Sequence, residues 1–215
     1  MLGAFVRGRW LAGVLIGLLV LPSCTSTVTG SAQAAASPTA RGNCQPGDLM
    51  RCIVAAPAGA VAYPTSLGPN GVVPTHQFLA AFYPEDPRYH NQIADKLQTE
   101  GLQAIAHRDW AVTQGDQVDI VLLGFATATG ARQRAQHVAD STRHDPTLRT
   151  FTGAGLPDGV VALVDRTVDR NGNIGVRAYA AFGQVELEFN YLHPATLDEA
   201  DLTAQIGREV ALLQN

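Results

Sequence analysis

The residues able to do chemistry are few and scattered: six histidines, three cysteines and 19 carboxylates along 215 residues. His137, Asp140 and His144 fall on one face of a predicted helix, a pattern that suggests a metal. At about 1.5 Å per residue the two histidines lie about 10 Å apart along the axis, too far to meet on one ion, so a solvated polar face is expected. Asp169-x-Asn171-x-Asn173 opens like a calcium loop. Its sixth position is Ile174 where glycine is needed and its twelfth is Ala180 where glutamate is needed, so Asn171-Gly172 reads as a tight hairpin turn. A serine hydrolase requires a nucleophile with a histidine base and an acid partner. Between residues 44 and 215 the serines are Ser66 and Ser141, and neither lies in Gly-x-Ser-x-Gly. Gly153-Ala154-Gly155-Leu156-Pro157 puts proline where a phosphate-cradling helix would begin. No catalytic residue, metal site or cofactor is expected.

One hairpin carries a denser polar pattern. With Gly183-Gln184 as its turn, Tyr179 opposes Glu188 and Arg177 opposes Asn190, with Glu186 on the same face. Val185, Leu187, Phe189 and Tyr191 take the other face and read as core. In a two-layer domain the polar face would be bare, which makes Arg177, Tyr179, Glu186, Glu188 and Asn190 a candidate docking face for a ligand or protein. The alternative is a charged sheet surface that keeps the domain soluble. Trp110 either joins a ligand groove or fills core.

The cysteines divide two and one. Cys44 and Cys52 flank Pro46-Gly47, and outside the cytoplasm a disulfide is the natural reading. Closing so short a loop contributes about 2.5 kcal/mol in the chain-entropy account. The third, Cys24, ends a segment in which Arg7 and Arg9 precede an uncharged apolar run from Trp10 to Val20. That run has the length of a signal-peptide core and is short of the roughly 20 residues of a spanning helix. Leu21-x-Ser23-Cys24 resembles the lipobox of bacterial lipoproteins, although Pro22 departs from the usual residue there. The resemblance implies a signal peptide over 1–23, Cys24 as first mature residue, and an acyl anchor on that cysteine. The membrane is then a partner through lipid alone, with the protein on the outer face of the cell membrane, or secreted if Cys24 is not acylated. Without the signal, 13 basic and 19 acidic residues leave a body of charge −6, which an anionic surface repels.

Composition sets the remaining bounds. Hydrophobic residues make up 46% and charged residues 16%, enough to build one core, and the full chain carries −4 with a pI near 5.8. That balance argues against nucleic acid as a partner. Residues 24–43 are poor in charge and rich in Thr, Ser, Ala and Gly, so they read as a flexible linker; 44–215 is the folded domain. After an irregular lead-in in which a short strand is expected at Ile53–Ala55, helices are expected from Thr75 to Phe82 and from Pro87 to a stop at Gly101. A hairpin follows over 102–112 and 118–126, then a helix over 127–143. Strands at 160–164, 174–182 and 185–192 come next, and a last helix starts with the capping box Thr196-x-x-Glu199. Hairpin then helix occurs twice, which suggests a ββα duplication. The expected class is α+β, an antiparallel sheet with helices packed mainly on one face.

Phe125-Ala126-Thr127-Ala128-Thr129-Gly130-Ala131-Arg132 and Tyr179-x-x-Phe182-Gly183-x-Val185-x-x-x-Phe189 resemble secreted or lipid-anchored α+β domains of actinobacteria, often PsbP-like, over roughly residues 53–213. A single lysine against fourteen arginines fits such a GC-rich source. The resemblance implies a non-catalytic envelope domain and carries no site residues with it. Binding to an envelope protein or small ligand is the leading expectation. A hydrolase or metal-dependent enzyme with a dispersed site, and a structural spacer, are the alternatives.

Overall fold

The computed structural model describes residues 44–63, 65–83, 87–112, 116–194 and 198–214. Cys24, the signal segment and the linker lie outside the described residues. The folded unit consists of α1 (Leu49–Cys52), β1 (Gly71–Val72), α2 (Thr75–Phe82), α3 (Pro87–Glu100), β2 (Leu102–Ala111), β3 (Gln117–Phe125), α4 (Ala128–Arg143), β4 (Leu148–Phe151), β5 (Val161–Asp165), β6 (Asn173–Phe182), β7 (Val185–Pro194) and α5 (Glu199–Gln214). Its seven strands form one sheet in the order β1-β2-β3-β7-β6-β5-β4, antiparallel at every step. The α+β antiparallel class is thus observed.

Strand periodicity decides which residues meet which helices. In β3, Val118, Ile120 and Leu122 join α1 and α5 in one core, while Val121, Leu123 and Phe125 join α2, α3 and α4 in another. The first core takes the α5 stripe Leu202, Ile206, Val210 and Leu213, all buried, together with Trp110 and the hydrophobic face of β7. Burying each of those aliphatic side chains contributes about 1.5–3 kcal/mol, which holds the C-terminal helix without help from its neighbours in sequence. The Cys44–Cys52 disulfide sits at the edge of this core with both cysteines buried. Three of the five helices, α2 to α4, lie on one face, and α1 and α5 take the other.

The expected hairpins are present, and the second has the anticipated register: Tyr179 pairs with Glu188 and Arg177 with Asn190. The ββα order recurs as well, but only in secondary structure. β3 and β7 are antiparallel neighbours at the centre. A two-fold axis relating such strands stands perpendicular to the sheet and keeps each face, whereas α4 and α5 lie on opposite faces. No rotation therefore brings β2–β3–α4 onto β6–β7–α5. Between them α4 crosses β7, β6 and β5 to reach β4 at the far edge, a short strand absent from the sequence expectation. Ile53–Ala55 is not a strand; its neighbourhood is fixed by Arg108, which donates to the Ile53 and Val54 carbonyls at 2.8 Å. At the last helix Asp198 Oδ1 accepts from the Ala200 and Asp201 N–H groups, so the start lies two residues beyond Thr196, which is outside the described residues.

Thr127 caps α4 as its position before the helix suggests, its hydroxyl accepting from the Gly130 N–H at 3.1 Å. Gly130 is there for a second reason. A Cβ at this position would stand 1.9 Å from the Glu100 carbonyl oxygen, at the end of α3. In an open helix Gly→Ala gains about 1 kcal/mol. Here the overlap with backbone reverses the sign, and Gly130→Ala is expected to lose about 2 kcal/mol, read as a fall in the urea midpoint at unchanged slope.

Candidate functional site

The face of the sheet beneath α2, α3 and α4 is apolar toward α2 and α3 but polar through its middle. Cross-strand pairing lines up Asp109, Asp119, Asn190 and Arg177 as one row over β2, β3, β7 and β6. The next row carries His107, Val121, Glu188 and Tyr179, and Glu186 follows beside Leu123. The five residues expected to form an exposed docking face therefore do share a face, yet that face is not bare. Glu186, Glu188 and Tyr179 are buried under α4, and Arg177 and Asn190 are half-buried. This corrects the expectation of a wet sheet surface. An alternating polar pattern marks one face of a strand but cannot say whether a later helix will cover it.

Cover is possible because α4 supplies a countercharge. Arg134, 2% exposed, donates from Nη2 to Glu188 Oε1 at 3.0 Å and to the Tyr83 hydroxyl at 3.3 Å. Burial alone would push the guanidinium pKa down, but the Glu188 and Glu186 carboxylates and Tyr83 outweigh it and hold the pKa up. Glu186 has no such partner: it is fully buried and neither side-chain oxygen is hydrogen-bonded. Burial, then the neighbouring Glu188, push its pKa well above the usual carboxylate range. Burial likewise raises the phenols of Tyr83 and Tyr179, the latter to about 12.

On the β2 side the charges are committed to holding the irregular lead-in. Asp109 Oδ1 accepts from the Tyr63 N–H at 2.7 Å, and Asn70 makes reciprocal bonds with the Asp109 backbone. His107, fully buried, meets the Pro69 carbonyl through Nε2 at 3.0 Å, with Nδ1 3.6 Å from Asp109 Oδ2. Asp119, directly across from Asp109, is different. Its Oδ1 is shut away from solvent without a hydrogen-bond partner, while the residue as a whole is half-buried. Burial, followed by repulsion from Asp109 and Glu188, raises its pKa to about 7.

The remaining motifs stay apart from this row. His137 meets the Lys96 ammonium on the exposed side of α4, and His144 Nδ1 donates to the Asp140 carbonyl of its own helix turn at 2.6 Å. Asp169 Oδ1 accepts from the Asn171 and Asn173 N–H groups at 2.8 Å, the tight hairpin turn expected. Among the described residues no group of three His, Cys, Asp or Glu side chains is arranged to hold a metal ion, and no helix is long and apolar enough to cross a membrane. Trp110 is core. Sequence reasoning missed Arg134, Asp119 and Asp109. Arg134 is the one arginine on the face that also carries Ala131, Ala135 and Val138, a signal available in the helical period.

Together these observations define an antiparallel α+β domain, covered by helices on both faces, with a polar row inside one of its layers. No protein-family profile and no curated protein matches the chain. Among solved structures it is similar to the extracellular domain of PknH from Mycobacterium tuberculosis, at 17% identity over 72% of this chain and 79% of that one, with a TM-score of 0.43. It is also similar to a putative uncharacterized protein from Mycobacterium smegmatis, the Rv0999 ortholog, at 12% identity over 58% and 75% and a TM-score of 0.26. Likenesses of this size assign neither fold family nor role, so the class stated here stands on the chain's own strands and helices.

Proposed function

We propose that the chain is an exported, lipid-anchored, non-catalytic domain of the cell envelope that binds a ligand or partner through the polar layer between the sheet and α2–α4. The observation that carries the binding reading is the half-buried row Asp119, Asn190 and Arg177, polar groups placed inside a helix-covered layer and backed by the Arg134–Glu188 pair. A buried polar atom without a partner, as Asp119 Oδ1 is, costs stability unless something satisfies it, which supports a recognition role for this layer. The committed histidines and the Cys44–Cys52 disulfide support a non-catalytic reading, since neither presents an activated nucleophile. Export and anchoring rest on the Arg7/Arg9, apolar and Leu-x-Ser-Cys segment, with Cys24 as the acylated residue. Two or more acyl chains would hold the body at the membrane despite its negative charge.

Metabolic labelling with a fatty-acid analogue tests the anchor. Label and membrane fractionation are expected for the wild type and lost in Cys24→Ala; equal labelling of both overturns it. Crosslinking the intact protein in its native membrane tests binding. A discrete adduct should weaken when Asp119 and Asn190 are replaced by alanine together, and an unchanged adduct would move the binding site elsewhere.

A further inference from the structure

Glu186, near the start of β7, is fully buried and neither of its side-chain oxygens is hydrogen-bonded. The cations nearby are engaged elsewhere. The Arg134 guanidinium meets Glu188 and the Tyr83 hydroxyl, and its Nε–H is itself unpartnered, so it does not reach Glu186. The Lys96 ammonium meets His137 on the outer side of α4. Glu100, at the end of α3, adds a carboxyl that repels Glu186 and whose Oε2 is shut from solvent without a partner. A buried carboxylate with no donor is too costly to keep as an anion, so Glu186 holds its proton in the closed domain.

The cover over Glu186 is the more weakly held of the two 16-residue helices. The buried residues of α4 are Gly130, Ala131, Arg134, Ala135 and Ala139, whereas α5 buries Leu202, Ile206, Val210 and Leu213. Apolar area holds a helix to a sheet, and alanine brings one methyl where leucine or isoleucine brings four carbons. Arg134 is the largest side chain that α4 buries, which ties the hold of this helix to the charge balance beneath it. Elements that open locally are the ones with few buried apolar contacts.

We propose that α4 is a proton-gated cover, closed over β6 and β7 while Glu186 carries a proton and lifted from them when that proton leaves. Lifting brings the Glu186 carboxylate to water and bares Tyr179, Glu186 and Glu188, three of the residues that the strand pattern marks as a docking face. Both members of the Arg134–Glu188 pair are solvated at once, so neither is left buried without the other. The gate is a property of the layer and stands apart from whether a ligand binds there.

Its direction follows from linkage. Burial, then Glu188 and Glu100, raise the Glu186 pKa well above its ordinary 4.5 in the closed domain, against the pull of Arg134. Closing therefore takes up a proton: the cover is most stable below about pH 4.5 and loosens as pH rises through the closed-state value. The charged and titratable groups around Glu186 are Glu188 on its own strand, Tyr179 and Arg177 from β6, Arg134 from α4, Glu100 and Lys96 from α3 and Tyr83 after α2, with Asp119 further along β3.

Hydrogen exchange of the full chain from pH 5 to 8, with each amide rate divided by its intrinsic chemical rate at that pH, reads the opening of each element. The α4 amides are expected to open at least tenfold more often than those of the central strand β3, with an opening constant that climbs by up to tenfold per pH unit and then levels. Glu186→Gln cannot ionise and should flatten the climb at α4, and Glu186→Leu should do the same without a buried amide, while both keep the circular dichroism spectrum and cooperative melting. Exchange of α4 only together with β3, an α4 opening constant that does not vary with pH, or an unchanged climb in both variants would overturn the proposal. The first two are read on the wild-type chain and decide the matter even where a variant does not fold. A flat α4 profile leaves the binding reading in place, and an unchanged crosslinked adduct leaves the gate in place.

Discussion

Arg134→Met is expected to destabilise the domain by about 3–5 kcal/mol, the largest effect of any single substitution considered, because it leaves Glu188 buried without its countercharge. Glu186 makes the loss worse, since it is fully buried on the same strand face and already lacks partners. The methyl-thioether fills much of the same volume, so the change isolates charge from packing. For a folded body of this size 1 kcal/mol corresponds to about 2–4 °C, and a melting temperature lower by about 10 °C is the direct readout. The companion variant settles the cause. Arg134→Met combined with Glu188→Leu removes the stranded charge, and most of the lost stability should return. A single substitution costing under about 1 kcal/mol would show that the pair is solvated and that α4 does not close over the sheet.

Glu209→Gln is expected to do the opposite at alkaline pH. Glu209 lies on α5, fully buried, with Oε2 accepting from the Val54 N–H at 2.8 Å and Oε1 unpartnered. Burial raises its pKa to about 8, against the lowering effects of the Val54 bond and Arg108. A carboxyl whose pKa is higher in the folded state keeps its proton where the unfolded chain has lost it. Folding then binds protons, so stability is greatest below the unfolded value near 4.5 and falls as pH rises toward about 8. The fall approaches about 1.4 kcal/mol per pH unit per group within that window. Asp119, raised to about 7, adds to the same trend, as does Glu186. Glutamine keeps the acceptor for Val54 and cannot ionise, but it adds an N–H to a place with no acceptor. The net gain for Glu209→Gln is therefore about 2 kcal/mol at pH 8 and near zero at pH 5. Urea unfolding at both pH values checks it, and equal effects at the two would mean that Glu209 does not titrate in this range.

Both predictions depend on charges inside the domain, and those were the least legible part of the sequence. The helices α2, α3 and α4, the hairpins, and even the cross-strand partners Tyr179–Glu188 and Arg177–Asn190 follow from periodicity and turn residues. They are local, set by the two-residue alternation of a strand and the 3.6-residue turn of a helix. β4 escaped because four residues, with only Leu148 and Phe151 turned inward, leave too short a pattern. Glu186 and Glu188 looked exposed because a lone glutamate on a strand usually is. Their burial depends on Arg134, fifty-two and fifty-four residues earlier in the chain, arriving on the other side of the same layer.

The sequence by itself determined the α+β class, the pairing of Cys44 with Cys52 and the two faces of the central hairpin. Each of these comes from composition or from contacts between near neighbours. Only the tertiary structure decided that helices close both faces, that much of the expected docking surface is covered by α4, and that Glu186 and Asp119 Oδ1 are left without hydrogen-bond partners. Those outcomes turn on whether charges from distant segments meet, and distance in space between such segments is not written in the spacing of residues along the chain.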